Sequence, residues 1–191
     1  MLKRTACLMV ILALAACAMP ETRIYTLNLA ADNSPRTVAR DATVLLITNS
    51  PKHLAQPYIA CRTSPYQLVI SRYAKWEASP EAMVRDGFRD SLSATLFREA
   101  RPASFARSGS YALKIDLKHF ERLDEGETSF ADVAFDVALL SPEGKDLYRD
   151  SISKRVKLDD KTFLSLAKGA SSAFDEGARE VRIAIARAMK Q

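Results

Sequence analysis

The 191-residue sequence predicts an α+β fold: a single domain whose mostly antiparallel sheet has two long helices packed on one face. Three observations lead there. Apolar and polar residues alternate strictly in segments such as Tyr111-Leu113-Ile115-Leu117 against Lys114, Asp116 and Lys118, which is the period of a sheet with one buried face. Two other segments, following Ser79 and Asp160, keep the spacing of an amphipathic helix. The order is strands, helix, strands, helix, and no repeat, low-complexity stretch or linker divides it.

The chain opens on a segment outside this fold. Lys3 and Arg4 precede an uncharged apolar run over residues 6–15. That run is too short for a bilayer core, which takes about 20 residues, and has the size of a secretory signal. It ends in Leu14-Ala15-Ala16-Cys17, the pattern of a bacterial lipobox. Residues 1–16 therefore read as a lipoprotein signal peptide. Cys17 becomes the acylated first residue, with diacylglycerol on its thiol and a further chain, such as palmitate, on its amine. Residues 17–23 form a tether and residues 24–191 the domain. The competing reading, a short buried helix with incidental cysteines, does not account for the position, the flanking charge and the cysteine together. One acyl chain binds a membrane weakly, whereas two or more anchor stably.

Removing residues 1–16 leaves 191 − 16 = 175 residues and takes the formal charge from +5 to 5 − 2 = +3, enough chain for one real core. The basic residues are dispersed, which speaks against nucleic-acid binding. Cys7 leaves with the signal and Cys17 is acylated, so Cys61 is alone and no internal disulfide is expected. Cys61 reads either as a reactive thiol or, better, as a small buried hydrophobe in Tyr58-Ile59-Ala60-Cys61.

Residues 24–29 alternate as a strand, residues 31–41 form a loop, and residues 43–48 (TVLLIT) read as a central strand buried on both faces. Residues 53–56 have room for one helical turn. Residues 58–62 and 66–73 form a hairpin around Ser64-Pro65. Ser79-Pro80-Glu81 starts a helix with its cap, its first-position proline and an acid on the positive dipole end. Val84, Phe88, Leu92 and Leu96 carry that helix to about Ala100, before Pro102. Three longer strands follow, the last two turning at Ser141-Pro142-Glu143-Gly144. Asp159 or Asp160 caps a final helix whose Gly169 and Gly177 mark close packing onto the sheet, at a cost of about 1 kcal/mol each.

A catalytic set is not apparent. The only histidines are His53, in a proline-rich loop, and His119, at a strand end, and no cluster has metal-ligand spacing. Asp132 and Asp136 lie on one strand face about 13 Å apart, too far for a shared proton, and read as solvated carboxylates. Asp124-Glu125-Gly126-Glu127 reads as a solvated turn. No catalytic residue, metal or cofactor is expected, and a binding or assembly role is the default. Trp76, the only tryptophan, is either a partner anchor or a plug at the strand-to-helix corner. Because both helix stripes are needed to cover the sheet, the partner surface is expected on the open sheet face or its loops, with Lys114 and Lys118 as its charges and Trp76 or Tyr66 as its aromatic anchor.

The order of these features resembles the ABC-type transport auxiliary lipoproteins: a lipobox, Tyr25-Thr26-Leu27, an apolar strand running into Pro51-Lys52-His53-Leu54-Ala55-Gln56-Pro57-Tyr58-Ile59, then Tyr73-Ala74-Lys75-Trp76 leading into an Arg- and Leu-bearing helix. His53, Ala55 and Gln56 stand where the family pattern has Tyr, Asp and Arg. The resemblance implies a non-enzymatic accessory subunit of an MCE-type ABC transport system that moves lipids between membranes. It would be held by the Cys17 lipid on the periplasmic face of the outer membrane and dock the MCE-domain protein, with a homo-oligomer compatible. Ala18, rather than Asp, after Cys17 fits onward export to that membrane. The rival classes are a pilotin-like assembly lipoprotein and a lipid-modifying envelope enzyme.

Overall fold

The computed structural model describes residues 21–29, 40–93 and 95–190. The signal peptide, Cys17 and most of the loop over residues 31–41 lie outside those residues. In chain order the elements are β1 (Arg23–Tyr25), β2 (Arg40–Asn49), β3 (Tyr58–Ser64), β4 (Gln67–Trp76), α1 (Pro80–Leu92), β5 (Phe97–Pro102), β6 (Tyr111–Glu125), β7 (Thr128–Leu140), β8 (Asp146–Lys157) and α2 (Phe163–Ala188).

The fold is α+β and forms one eight-stranded mixed sheet. The antiparallel expectation holds for the β3–β4 hairpin and for the long β6–β7–β8 meander. Parallel ladders join β1 to β4, β2 to β5, and β6 to both β2 and β3. Strand β6 is the spine. Along one edge it pairs with β7 over nearly its whole length. Its other edge is shared, with β2 beside Tyr111–Asp116 and β3 beside Arg122 and Leu123.

The alternation of β6 changes phase midway. Leu113, Ile115 and Leu117 are buried under the helices, a register shift falls between Leu117 and His119, and Phe120 continues the buried row. A bulge of this kind adds one residue and turns the following side chains over. His119 and Glu121 therefore emerge on the open face together with Lys114, Asp116 and Lys118.

Helix α1 begins as its sequence dictates: the Ser79 side chain accepts from the Ala82 N–H at 3.2 Å, with Pro80 in the first turn. It ends at Leu92, not near Ala100. Ser93 adopts extended backbone, and Thr95 Oγ1 donates to the Ser91 carbonyl at 2.6 Å. Hydroxyl side chains compete in this way with helical hydrogen bonds, and residues 97–102 gain a ladder along β2 instead. The final helix is capped by Thr162 rather than Asp159 or Asp160: Thr162 Oγ1 accepts from Ser165 N, and Asp160 braces Thr162 by accepting from its N–H and Oγ1. The first strand is also shorter than residues 24–29, since only Arg23–Tyr25 finds a partner in β4.

Both helices pack on the same face. Phe88 of α1, Phe135 of β7 and Phe174 of α2 meet edge to face, with centroids 5.5 to 6.2 Å apart, an arrangement favoured beyond simple burial. Gly169 and Gly177 are where α2 touches the sheet. A Cβ on Gly169 would lie 2.7 Å from Leu158 and 3.0 Å from the Ala131 Cβ, and one on Gly177 would lie 3.1 Å from the Phe135 ring. Their weak helix propensity is the cost of that approach.

Candidate functional site

No helix or strand covers the open face of the sheet among the described residues. Ala112, Ala134 and Ala138 form its floor, and longer polar chains stand over it. Lys114 is exposed, and Lys118 Nζ lies 3.3 Å from Asp136 Oδ2, with both side chains about half exposed. Asn49 donates to Asp116 Oδ1 at 3.0 Å, and Ser151 donates to Asp136 at 2.7 Å. The Ser151 bond foremost, then the Lys118 ammonium, hold the Asp136 carboxyl below its ordinary range. Lys114 and Lys118 thus lie on the face expected for a partner.

Beyond the β6 bulge the same face carries a buried ionic cluster. Glu121 and Asp132 are cross-strand neighbours, 2 % and 4 % exposed. Arg62 of β3 donates through Nε to Glu121 Oε1 and through Nη2 to Oε2. Arg155 of β8 donates through Nε to Asp132 Oδ1 at 3.0 Å. Both histidines of the protein join them: His119 Nδ1 lies 3.2 Å from Glu121 Oε1 and 4.0 Å from Asp132 Oδ2, and His53 Nε2 lies 4.0 Å from Glu121 Oε2. Burial holds the His53 ring below the ordinary histidine range, with Arg62 and His119 acting in the same direction and Glu121 against it.

Ligand atoms of His119, Glu121 and Asp132 lie within 4.8 Å of one another, close enough to hold a metal ion. The two guanidiniums, however, already balance the two carboxylates, and an incoming cation would have to compete with them. The arrangement is a closed charge network that ties β3, β6, β7 and β8 together with the turn bearing His53. Asp132 is therefore not the solvated carboxylate its alternation suggests, although Asp136 is. The sequence reading missed the cluster because Glu121 and Asp132 are 11 positions apart and meet only through the hairpin register. The one available signal was a Glu beside a His on a strand otherwise made of Lys and Asp.

Trp76 is not available to a partner. It is 2 % exposed, sits edge to face on Phe120 with centroids 5.4 Å apart, and plugs the corner between β4 and α1. Tyr66, at the tip of the β3–β4 hairpin, is 98 % exposed. Cys61 is buried, and burial pushes its thiol above the ordinary range, as a packed hydrophobe rather than a reactive group. No described helix is long and apolar enough to cross a membrane.

Comparison with known proteins bears on the whole domain. The family model for the ABC-type transport auxiliary lipoprotein component matches residues 25–182. A solved Xanthomonas campestris protein of the family DUF330 is similar in fold, with a TM-score of 0.73 and 18 % identity over 88 % of this chain and 99 % of that one. A second solved structure, of an uncharacterized protein, gives a TM-score of 0.68 and 16 % identity over 87 % of this chain and 99 % of that one. At such identities these structures speak to the fold alone. No curated protein matches the chain by sequence.

Proposed function

The chain belongs to the ABC-type transport auxiliary lipoprotein family, and from that premise we propose that it is the lipid-anchored, non-catalytic accessory subunit of an MCE-type ABC transport system. In this reading acylated Cys17 holds the domain on the periplasmic face of the outer membrane, where it docks the periplasmic MCE-domain protein for lipid transfer between membranes. The observation that carries the reading is the family match across nearly the whole domain, together with the lipobox at Leu14-Ala15-Ala16-Cys17. The charge network supports a binding role, since its carboxylates are spent on guanidiniums.

Affinity purification of a tagged copy from detergent-solubilised envelopes is the decisive experiment. It is expected to recover an MCE-domain protein with an ABC ATPase and permease. Recovery of secretin or β-barrel assembly components in their place favours the pilotin class and rejects this reading. Mass spectrometry of the mature N-terminus is expected to show acylated Cys17, and Cys17→Ala is expected to leave the precursor unprocessed or the domain unanchored.

The docking surface in this reading is the open sheet face. Charges at such a rim govern association rate and salt sensitivity more than affinity. Charge reversal at Lys114 and Lys118 is expected to weaken partner recovery at low salt while changing stability by only about 0.5 kcal/mol, as for ordinary surface changes. If recovery survives those reversals but is lost on reversing Arg85 and Arg89 on the outer side of α1, the partner binds the helices.

A further inference from the structure

The exposed large apolar side chains are unevenly placed. Six of the ten among the described residues, Ile24, Tyr58, Tyr66, Val69, Ile70 and Tyr73, lie on β1 or the β3–β4 hairpin, at one edge of the sheet, and the other four are scattered over β8, α2 and the β5–β6 loop. Strand β1 covers β4 only from Ala74 to Trp76. From Gln67 to Tyr73 the outer backbone edge of β4 has no strand partner among the described residues. Long apolar edges of this kind are liabilities that proteins normally blunt or cover. Residues 58–76 contain no Asp or Glu, and besides Arg62, which Glu121 holds, they carry the basic Arg72 and Lys75.

The anchor falls on the same edge. Strands β1 and β4 are parallel, with Arg23 opposite Ala74, so the chain enters β1 from the side of the hairpin tip. Five residues separate Cys17 from Arg23, and the six Cα-to-Cα steps between them reach about 20 Å when fully extended. From Ala74 back to Tyr66 the hairpin extends about 26 Å. A membrane holding the Cys17 acyl chains therefore lies no farther from Arg23 than the hairpin tip does, and the tether keeps this edge, of all the edges of the sheet, next to the bilayer.

The geometry points to the free edge of β4 and the tip of the β3–β4 hairpin as a membrane-contact surface that lies on the lipid headgroups. This rests on the acylation of Cys17 proposed above. The side-chain chemistry matches: tyrosines prefer the membrane–water interface, basic residues are drawn to anionic headgroups, and Val69 and Ile70 supply shallow apolar contact. The contact is edgewise rather than end-on, because the acidic turn Glu125-Gly126-Glu127 between β6 and β7 stands at the same end of the sheet and would face the anionic surface. With the β4 edge on the membrane, β7 and β8 lie farthest from it, in reach of a periplasmic partner.

The test uses the full chain, processed in the cell and reconstituted into vesicles of phosphatidylethanolamine with phosphatidylglycerol. An environment-sensitive fluorophore is placed on Tyr66→Cys and, as a control, on Phe105→Cys, an exposed position on the loop between β5 and β6. Buried Cys61 is a poor labelling site, and unsubstituted protein sets the background. A blue-shifted emission at position 66, quenched by spin-labelled lipid, with neither effect at position 105, supports the proposal. Acylated protein that floats with the vesicles while both probes behave alike overturns it and leaves the anchor intact. Protein that is neither acylated nor floats overturns both. Shielding of position 66 only on adding the transporter's periplasmic component makes the edge a protein-binding strand and likewise overturns the proposal.

Discussion

Trp76→Ala is expected to lower the unfolding free energy by about 3–5 kcal/mol, the range for deleting a large aromatic side chain from a core. For a domain of this size each kcal/mol moves the midpoint by about 2–4 °C, so the melting temperature should fall by about 6–20 °C. The loss has an identifiable source. The indole of Trp76 fills the corner where β4 gives way to α1 and rests edge to face on Phe120, directly after the bulge, while the backbone N–H to the Pro57 carbonyl and the ladder with β1 remain in the variant. Its indole Nε1 has no hydrogen-bond partner among the described residues. Trp76→Phe thus gives up volume but no polar contact, and should cost less than Trp76→Ala because it leaves a smaller cavity. Thermal melts followed by far-ultraviolet circular dichroism measure both. An unchanged midpoint in Trp76→Ala, with loss of partner binding, would restore the residue as a surface anchor and contradict its burial.

Glu121→Ala is expected to cost about 3 kcal/mol. Removing one partner of a buried ion pair strands the other, and the usual penalty is about 3–5 kcal/mol; the lower end applies because the Arg62 side chain is 25 % exposed and can reach water. The double change Glu121→Leu with Arg62→Met should recover much of the loss, since apolar replacements of such pairs are often neutral. Additive losses in that double-mutant cycle would show that the pair is not the source. The same cluster makes stability sensitive to acid. Burial holds His53 below 6.5, so the unfolded chain takes up a proton before the folded one does. The contribution is complete above pH 6.5 and declines as the pH falls through and below that value. Urea midpoints measured at pH 7.5 and pH 5.5 should therefore converge in His53→Asn relative to the unsubstituted protein.

What the sequence made legible was local. The Ser79-Pro80-Glu81 start, the turn at Ser141-Pro142-Glu143-Gly144 and the alternation of β7 each depend on neighbours a few positions away, and each appears in the structure. The run at residues 43–48 is central, held between β5 and β6, but it is not buried on both faces: Val44, Leu46 and Ile47 are buried, while Thr43, Leu45 and Thr48 are half-buried. What stayed hidden depends on register and on competition. Leu96 fits the helical spacing of α1 as well as Leu92 does, so periodicity alone cannot end the helix. The hydroxyls of Ser93 and Thr95, which bond the Ala100 N–H and the Ser91 carbonyl, and the vacant edge of β2 decide it. The charge network required two facts that no spacing encodes: the bulge that turns Glu121 to the open face, and the parallel contact of β3 with the far end of β6. Trp76 was ambiguous because an aromatic before a helix suits a corner and an interface equally well.

The division of the β6 edge between β2 and β3 also sets the order in which this protein can assemble. Both strands are made early, yet the residues that complete their ladders, Tyr111–Asp116 for β2 and Arg122–Leu123 for β3, come about 60 positions later. Until that stretch emerges from a synthesising or translocating machine, the apolar run at residues 43–48 has at most β5 on one edge and nothing on the other. A ladder closed over so long a loop forms slowly and leaves strand edges open to aggregation in the meantime. The chain therefore passes through a vulnerable interval that ends only when its sixth strand arrives, and delays in its delivery should be repaid in misassembled protein rather than in a partly working domain.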